Sequence, residues 1–169
     1  MTQQSATIGV MSDSHYDLDA IDDAVCMAPD VDCWFHAGDS IADTEYLEKV
    51  SGKKVYKVPG NVDWHSTAAP EITVDMAGVR IFMTHGHRYQ VKWSLDKLVQ
   101  KAASIGANLV IYGHSHVGAQ DEIGGILFVN PGSVSEPRDG LLPSFMKIKI
   151  TNGNITVKRI FLDGKNDKF

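Results

Sequence analysis

Short apolar runs, each closed by a polar turn and most followed by a helical spacing, set the pattern of this chain. ATIGVM (6–11) reads as a buried strand. In DLDAIDDAVCMA, Leu18, Ile21, Ala24 and Val25 share one helical face and Asp17 stands where an N-cap belongs. CWFHAGD (33–39) predicts a second strand, TEYLEKV a short helix, and KKVYKVPGN (53–61) a third strand closed by Pro59-Gly60. Three such alternations predict βαβ units and a largely parallel sheet. EITVDMAGVRIFMTHGH then predicts two strands joined by a tight turn near Asp75 to Gly78. WSLDKLVQKAASIG places Leu95, Leu98, Val99 and Ala102 at helical spacing, with Ser94 near its start and Gly106 as its stop. NLVIYGHSH is again a strand, followed by a run through Ile123 and by ILFVNPGS. FMKIKITNGNITVKRIFL alternates about Asn152-Gly153, a hairpin signal. There is no repeat or linker, so one α/β domain over 1–169 is expected, with two sheets packed as a sandwich and helices outside.

Composition changes this picture little. A chain of 169 residues can bury a sizeable single core. The net charge of −5, with no basic run, argues against an extended nucleic-acid binder but leaves room for a phosphate substrate if bound metal reverses the sign locally. Cys26 and Cys33 do not make a disulfide framework. The first residues lack a signal-peptide pattern, and no stretch approaches the ~18 apolar residues of a membrane span. A cytoplasmic protein without a membrane anchor is the expectation, and a homo-oligomer remains open.

The chemistry lies where the strands stop. Asp13 and His15 follow the first strand, Gly38-Asp39 closes the second, and Gly60-Asn61-Val62-Asp63 the third. His85 and His87 follow RIFM, and His114 and His116 follow LVIY. Ligands of open α/β sheets bind beyond the carboxyl ends of strands. Each residue alone has a bland reading: Asp13 as a cap, Asn61 as a turn, His85 as a satisfied imidazole. His36 is expected to be structural, and Trp64 and His65 to sit at a surface or rim. The conjunction differs, because imidazole, carboxylate and amide oxygen together suit divalent transition ions. Asp13 and His15, alternating in an extended segment, would reach one ion. His114 and His116 would share a face, and Asp39 could bridge two ions through its two oxygens.

The ordered set Asp13-Ser14-His15, Gly38-Asp39, Gly60-Asn61, His85 and Gly113-His114-Ser115-His116 resembles the calcineurin-like metallophosphoesterases. The THGH and NPGSVSEPR stretches resemble the small YfcE-like phosphodiesterase branch. The resemblance implies a four-layer αββα sandwich of two mixed sheets flanked by helices. It implies two divalent ions per chain, manganese first, with iron, zinc or nickel as alternatives. One ion would be held by Asp13, His15, Asp39 and His116, the other by Asp39, Asn61, His85 and His114, with Asn61, Asp39 and His85 forming the catalytic set. The implied activity is hydrolysis of a small phosphodiester by in-line attack of a metal-bridging hydroxide. Val62 departs from family members that carry a His after the Asn, which leaves the general acid for the leaving group open. Asp63, His87 and Arg138 are the candidate substrate contacts, and Asn130 and Ser133 are expected to shape their loop. The alternative is a metal-binding scaffold for protein partners, as in a retromer coat subunit of the same superfamily.

Overall fold

A computed structural model of the chain describes residues 4–163 and the backbone of 166–167. β1 (Ser5–Met11) leads through α1 (Leu18–Met27) to β2 (Cys33–His36), and through α2 (Asp43–Ser51) to β3 (Lys54–Lys57). β4 (Glu71–Met76) and β5 (Val79–Thr84) form a hairpin, followed by a short 3-10 turn at His87–Tyr89, α3 (Asp96–Ser104) and β6 (Leu109–Ile111). β7 (Gly118–Ile123), β8 (Ile126–Pro131), β9 (Ser144–Thr151), β10 (Asn154–Phe161) and β11 (Asn166–Asp167) complete the order. The helix expected to start near Ser94 begins at Asp96, whose N–H donates to Ser94 Oγ at 3.0 Å. The second and third strands end at His36 and Lys57, before the turns that carry the polar residues.

One sheet has the order β11-β10-β9-β1-β2-β3 and the other β4-β5-β6-β8-β7. The βαβ units put β1, β2 and β3 in parallel register, and β5 and β6 likewise, while β8 joins β6 in parallel after β7. Antiparallel partners flank each set: β9 beside β1, β4 beside β5 and β7 beside β8. Both sheets are therefore mixed. The hairpin about Asn152-Gly153 pairs Thr151 with Asn154, as its sequence predicts.

Side-chain alternation distributes the core into layers. Ile8, Val10, Phe35 and Ile148 of the first sheet meet Ile81, Met83, Leu109 and Val129 of the second. The opposite face of the first sheet offers Met11, Trp34 and Phe145 to Ile21, Ala24 and Leu47 of α1 and α2. Phe82, Val110 and Phe128 take Leu98 and Ala102 of α3 on the far side. The result is helix, sheet, sheet, helix, in which each fully buried large apolar side chain contributes about 1.5–3 kcal/mol. Asp17 caps α1 by accepting from Ala20 N at 3.0 Å, worth ~1 kcal/mol. Cys26 is exposed and Cys33 buried, and both are free thiols. Among the described residues no helix is long and apolar enough to cross a membrane.

Candidate metal centre

At the carboxyl ends of β1, β2, β5 and β6 the backbone turns sharply. Asp13 (φ 56°), His15 (φ 44°), Asp39 (φ 62°), His114 (φ 71°) and His116 (φ 58°) all adopt positive φ. Such conformations cost non-glycine residues energy and persist only where surrounding contacts enforce them. Asp13 and His15 thus converge through a left-handed turn, not through strand alternation, and His114 and His116 do the same.

Several contacts enforce these turns. Ser133 Oγ and Ser135 Oγ donate to the Asp13 carbonyl at 2.8 and 3.0 Å. Asn130 Nδ2 donates to the Gly113 carbonyl at 3.1 Å and to Ser115 Oγ at 2.9 Å. Beneath them runs a buried chain of hydrogen bonds. Gly38 N–H donates to His36 Nδ1 at 3.2 Å, so His36 Nε2 carries the hydrogen that reaches Ser14 Oγ at 2.8 Å. Ser14 Oγ in turn donates to Asp43 Oδ2 at 2.6 Å, which also accepts Tyr16 N–H at 2.9 Å. Burial pushes the His36 imidazole down to about 4, which keeps it neutral in this role. This chain ties the turn after β1 to the turn after β2. Asp43 carries no sequence signal, because its partner Ser14 lies in another element.

The side chains that converge here present acceptors to one another. His85 Nδ1 lies 2.7 Å from the Ala37 carbonyl and donates to it, leaving the Nε2 lone pair pointing inward. That Nε2 faces Asn61 Oδ1 at 3.1 Å, Asp39 Oδ1 at 3.4 Å and Asp13 Oδ1 at 3.8 Å. His116 Nδ1 likewise donates to the Glu136 carbonyl at 2.7 Å, so its Nε2 meets Asp13 Oδ1 at 3.2 Å and His15 Nε2 at 3.3 Å as an acceptor. His15 Nε2 is 3.6 Å from Asp39 Oδ2. Asp13, His15, Asp39 and His116 each bring one ligand atom within 4.8 Å of all the others. The His114 ring stands edge-on to His85 with centroids 5.1 Å apart.

Asp13 is fully buried. Ser12 Oγ and His114 N–H donate to its Oδ2, while Oδ1 has no hydrogen-bond partner among the described residues. A buried carboxylate oxygen facing imidazole lone pairs demands positive charge. A proton can supply it. Burial pulls the His85 imidazole down, but the Asp39 hydrogen bond and the charges of Asp13 and Asp39 outweigh this and raise it. His116 is raised in the same way, chiefly by Asp13 against its own burial. Burial also opposes ionisation of Asp39, yet His85, Val62 N–H and His15 hold its carboxyl well below the usual range. A divalent ion supplies the charge better, and carboxylate, imidazole and amide oxygen are the donor set such ions take. The residues fit a metal.

Glycines make room for this packing. A Cβ on Gly60 would overlap Asp39 Oδ1, and one on Gly113 would overlap Ser12 Oγ. Of the candidate substrate contacts, Asp63 has both oxygens engaged by backbone, accepting from Ile41 N at 3.0 Å and Gly60 N at 2.8 Å. Arg138 is exposed, and its backbone N–H donates to the His116 carbonyl. The His87 ring lies 5.5 Å from that of His85 and 6.0 Å from that of His114. Val62 is exposed and contributes its N–H to Asp39 Oδ1 at 3.3 Å. A groove of about 730 Å³ near Ala77, Gly78, Arg80 and Gly106 lies at the other end of the strands. There Arg80 is tied to Asp75 and the Ile105 carbonyl, and among the described residues no buried unpartnered side-chain atom belongs to its lining.

The pH dependence of the centre follows from the raised imidazoles. Their protons stabilise the metal-free fold fully below about pH 6.5 and less as pH rises through the raised values. The same protons compete with a cation. The gain in Tm on adding manganese to metal-free protein should therefore widen as pH rises from about 6.5 through the raised values. A gain that shrinks over that interval would contradict the acceptor-cluster account.

Residues 7–153 match the family model described as the calcineurin-like phosphoesterase superfamily domain, and the chain belongs to that superfamily of metal-dependent hydrolases. It is similar to the probable metallophosphoesterase YsnB of Bacillus subtilis, 30% identical over 131 residues, covering 76% of this chain and 75% of that protein. It is similar also to the phosphodiesterase YfcE of Escherichia coli K12, 34% identical over 104 residues, covering 57% of this chain and 52% of that protein. A solved structure of a predicted phosphoesterase from Streptococcus pneumoniae TIGR4 superposes with a TM-score of 0.83 at 29% identity, covering 100% of this chain and 98% of the other.

Proposed function

We propose that this chain hydrolyses small phosphodiesters with two divalent ions, manganese in the active form. The observation that carries the reading is the inward-facing set of acceptors around the unpartnered Asp13 Oδ1. Asp13, His15, Asp39 and His116 would hold one ion, and Asp39, Asn61, His85 and His114 the other. Ions there would supply a water of lowered pKa for in-line attack and positive charge against the phosphoryl oxygens.

The chain's own residues do the rest. The Ala37 and Glu136 carbonyls fix the tautomers of His85 and His116, so both present Nε2. Burial, His85 and Lys92 depress His114 to about 4, so it is neutral and ready to ligate at neutral pH. Asn61 offers its oxygen toward His85 and keeps its NH₂ free to donate to the ester. Val62 has no proton to give, and the oxygens of Asp63 are engaged. Esters whose leaving alcohol needs little protonation are therefore favoured. The charge of −5 without a basic stripe favours a small diester over a polymer.

The test is turnover of bis-p-nitrophenyl phosphate by metal-stripped protein titrated with manganese. Hydrolysis should rise with added metal and saturate at two equivalents per chain. Two bound ions without turnover would favour the scaffold reading, and turnover in excess chelator would contradict metal dependence.

A further inference from the structure

Beside the candidate metal centre lies a cleft of about 300 Å³ whose wall includes Asn61, Trp64, His87 and Arg88. Three features of it are unexplained by the chemistry above. Trp64 is 77% exposed, an unusual position for the largest apolar side chain. His65 lies against it, with ring centroids 3.4 Å apart, but lines the neighbouring groove with Tyr16 and Val62. The Trp64–His65 pair thus stands between two depressions, with most of the indole left exposed. Finally, His87 Nδ1 is buried and has no hydrogen-bond partner among the described residues.

We infer that this cleft is a subsite for a nucleobase, so that the phosphodiester hydrolysed is a nucleoside ester. An open indole face suits a flat ring, which stacks on it with useful affinity. The edge of a base carries both donors and acceptors, which a hydrocarbon ring lacks and which suit a wall that includes the Asn61 and Arg88 side chains. The Arg88 guanidinium borders the same cleft and offers donors to ring nitrogens or carbonyl oxygens. Asn61 is common to the cleft and to the acceptor cluster, so a base in the one and a phosphate at the other are adjacent. The volume is at the small end for ligand sites and suits one base, not an oligonucleotide. Trp64 is in this account a specificity-determining residue.

The inference rests on the proposed phosphodiesterase reading, and calorimetry on the manganese-loaded full chain separates the two. Adenosine 5′-monophosphate and ribose 5-phosphate share their sugar and phosphate and differ by the base. The nucleotide should bind about tenfold or more tightly than the sugar phosphate. Trp64→Ala should bring it to within about twofold of ribose 5-phosphate while leaving ribose 5-phosphate itself unchanged, and Trp64→Phe should keep most of the difference. Unchanged ribose 5-phosphate binding also reports that the variant folds. Equal affinity for both ligands in the parent protein, or an equal loss for both in Trp64→Ala, would overturn the subsite alone. Failure of both ligands to bind would overturn the phosphodiesterase reading and the subsite with it.

Discussion

Asp39→Asn should abolish metal-dependent hydrolysis and weaken manganese binding by more than about 100-fold, beyond the loss seen when a mere orienting partner is removed. Asp39 stands between the two halves of the cluster. Its Oδ1 is 3.4 Å from His85 Nε2, and its Oδ2 is 3.6 Å from His15 Nε2. Asparagine keeps the shape but removes the charge and turns one acceptor into a donor. It can then serve one half of the site only. The cost to the fold should be small or reversed. Once the pH has passed the raised values of His85 and His116, the mutually facing acceptors of the metal-free parent repel. The variant relieves that repulsion, so its metal-free form should melt at or above the parent. Thermal melts in chelator and calorimetric titration with manganese check both halves. Retained activity would refute the bridging position of Asp39. A collapse of the metal-free melting temperature would mean that Asp39 is held for stability instead.

Gly60→Ala should have the second-largest effect, although it adds one methyl group. Its Cβ would fall on Asp39 Oδ1 and press on the Asp39 backbone nitrogen. Backbone gives way at a high cost, so the carboxylate must rotate away from His85. Overpacking of this kind costs about 1–3 kcal/mol. Manganese affinity should fall with stability, because the displaced oxygen is one the cluster shares. The Gly60 N–H also donates to Asp63 Oδ2 at 2.8 Å, which fixes the turn that presents Asn61. A variant with parental Tm and parental manganese affinity would show that the close approach of Gly60 to Asp39 is unimportant.

The elements were legible in the sequence wherever a local period governs them. The Leu18, Ile21 and Ala24 stripe with its Asp17 cap gives α1, and Asn152-Gly153 gives the last hairpin with its register. The layered architecture followed from the same alternation. Strand ends were less legible. Ala37 and Val58 are as apolar as the strand residues before them, but Gly38 and Gly60 begin the turns. The pairing of β9 with β1 is set by contacts across more than a hundred residues, which no local pattern encodes.

The candidate site divides in the same way. Residue types able to hold a metal fall directly after apolar runs, so Asp13, His15, Asp39, Asn61, His85, His114 and His116 could be picked out, and the fold brings them to one end of the sandwich. How they get there was not readable. Positive φ at Asp13 and His116 is uncommon for non-glycine residues and is held by distant donors such as Ser133 and by the loop that supplies the Glu136 carbonyl. His36 is structural, as its place within a strand suggests. Its partners Ser14 and Asp43 belong to two other segments, and a single strand pattern cannot name them. Trp64 had the bland reading of a rim residue, and only the adjacent cleft gives its exposure a use.

Crystals of metal-stripped protein soaked in manganese and measured at the manganese absorption edge address the central claim most directly. The account predicts two anomalous peaks among Asp13, His15, Asp39, Asn61, His85, His114 and His116, with Asp39 in contact with both. A map without a peak among these side chains, at a manganese concentration that saturates binding in solution, would contradict it.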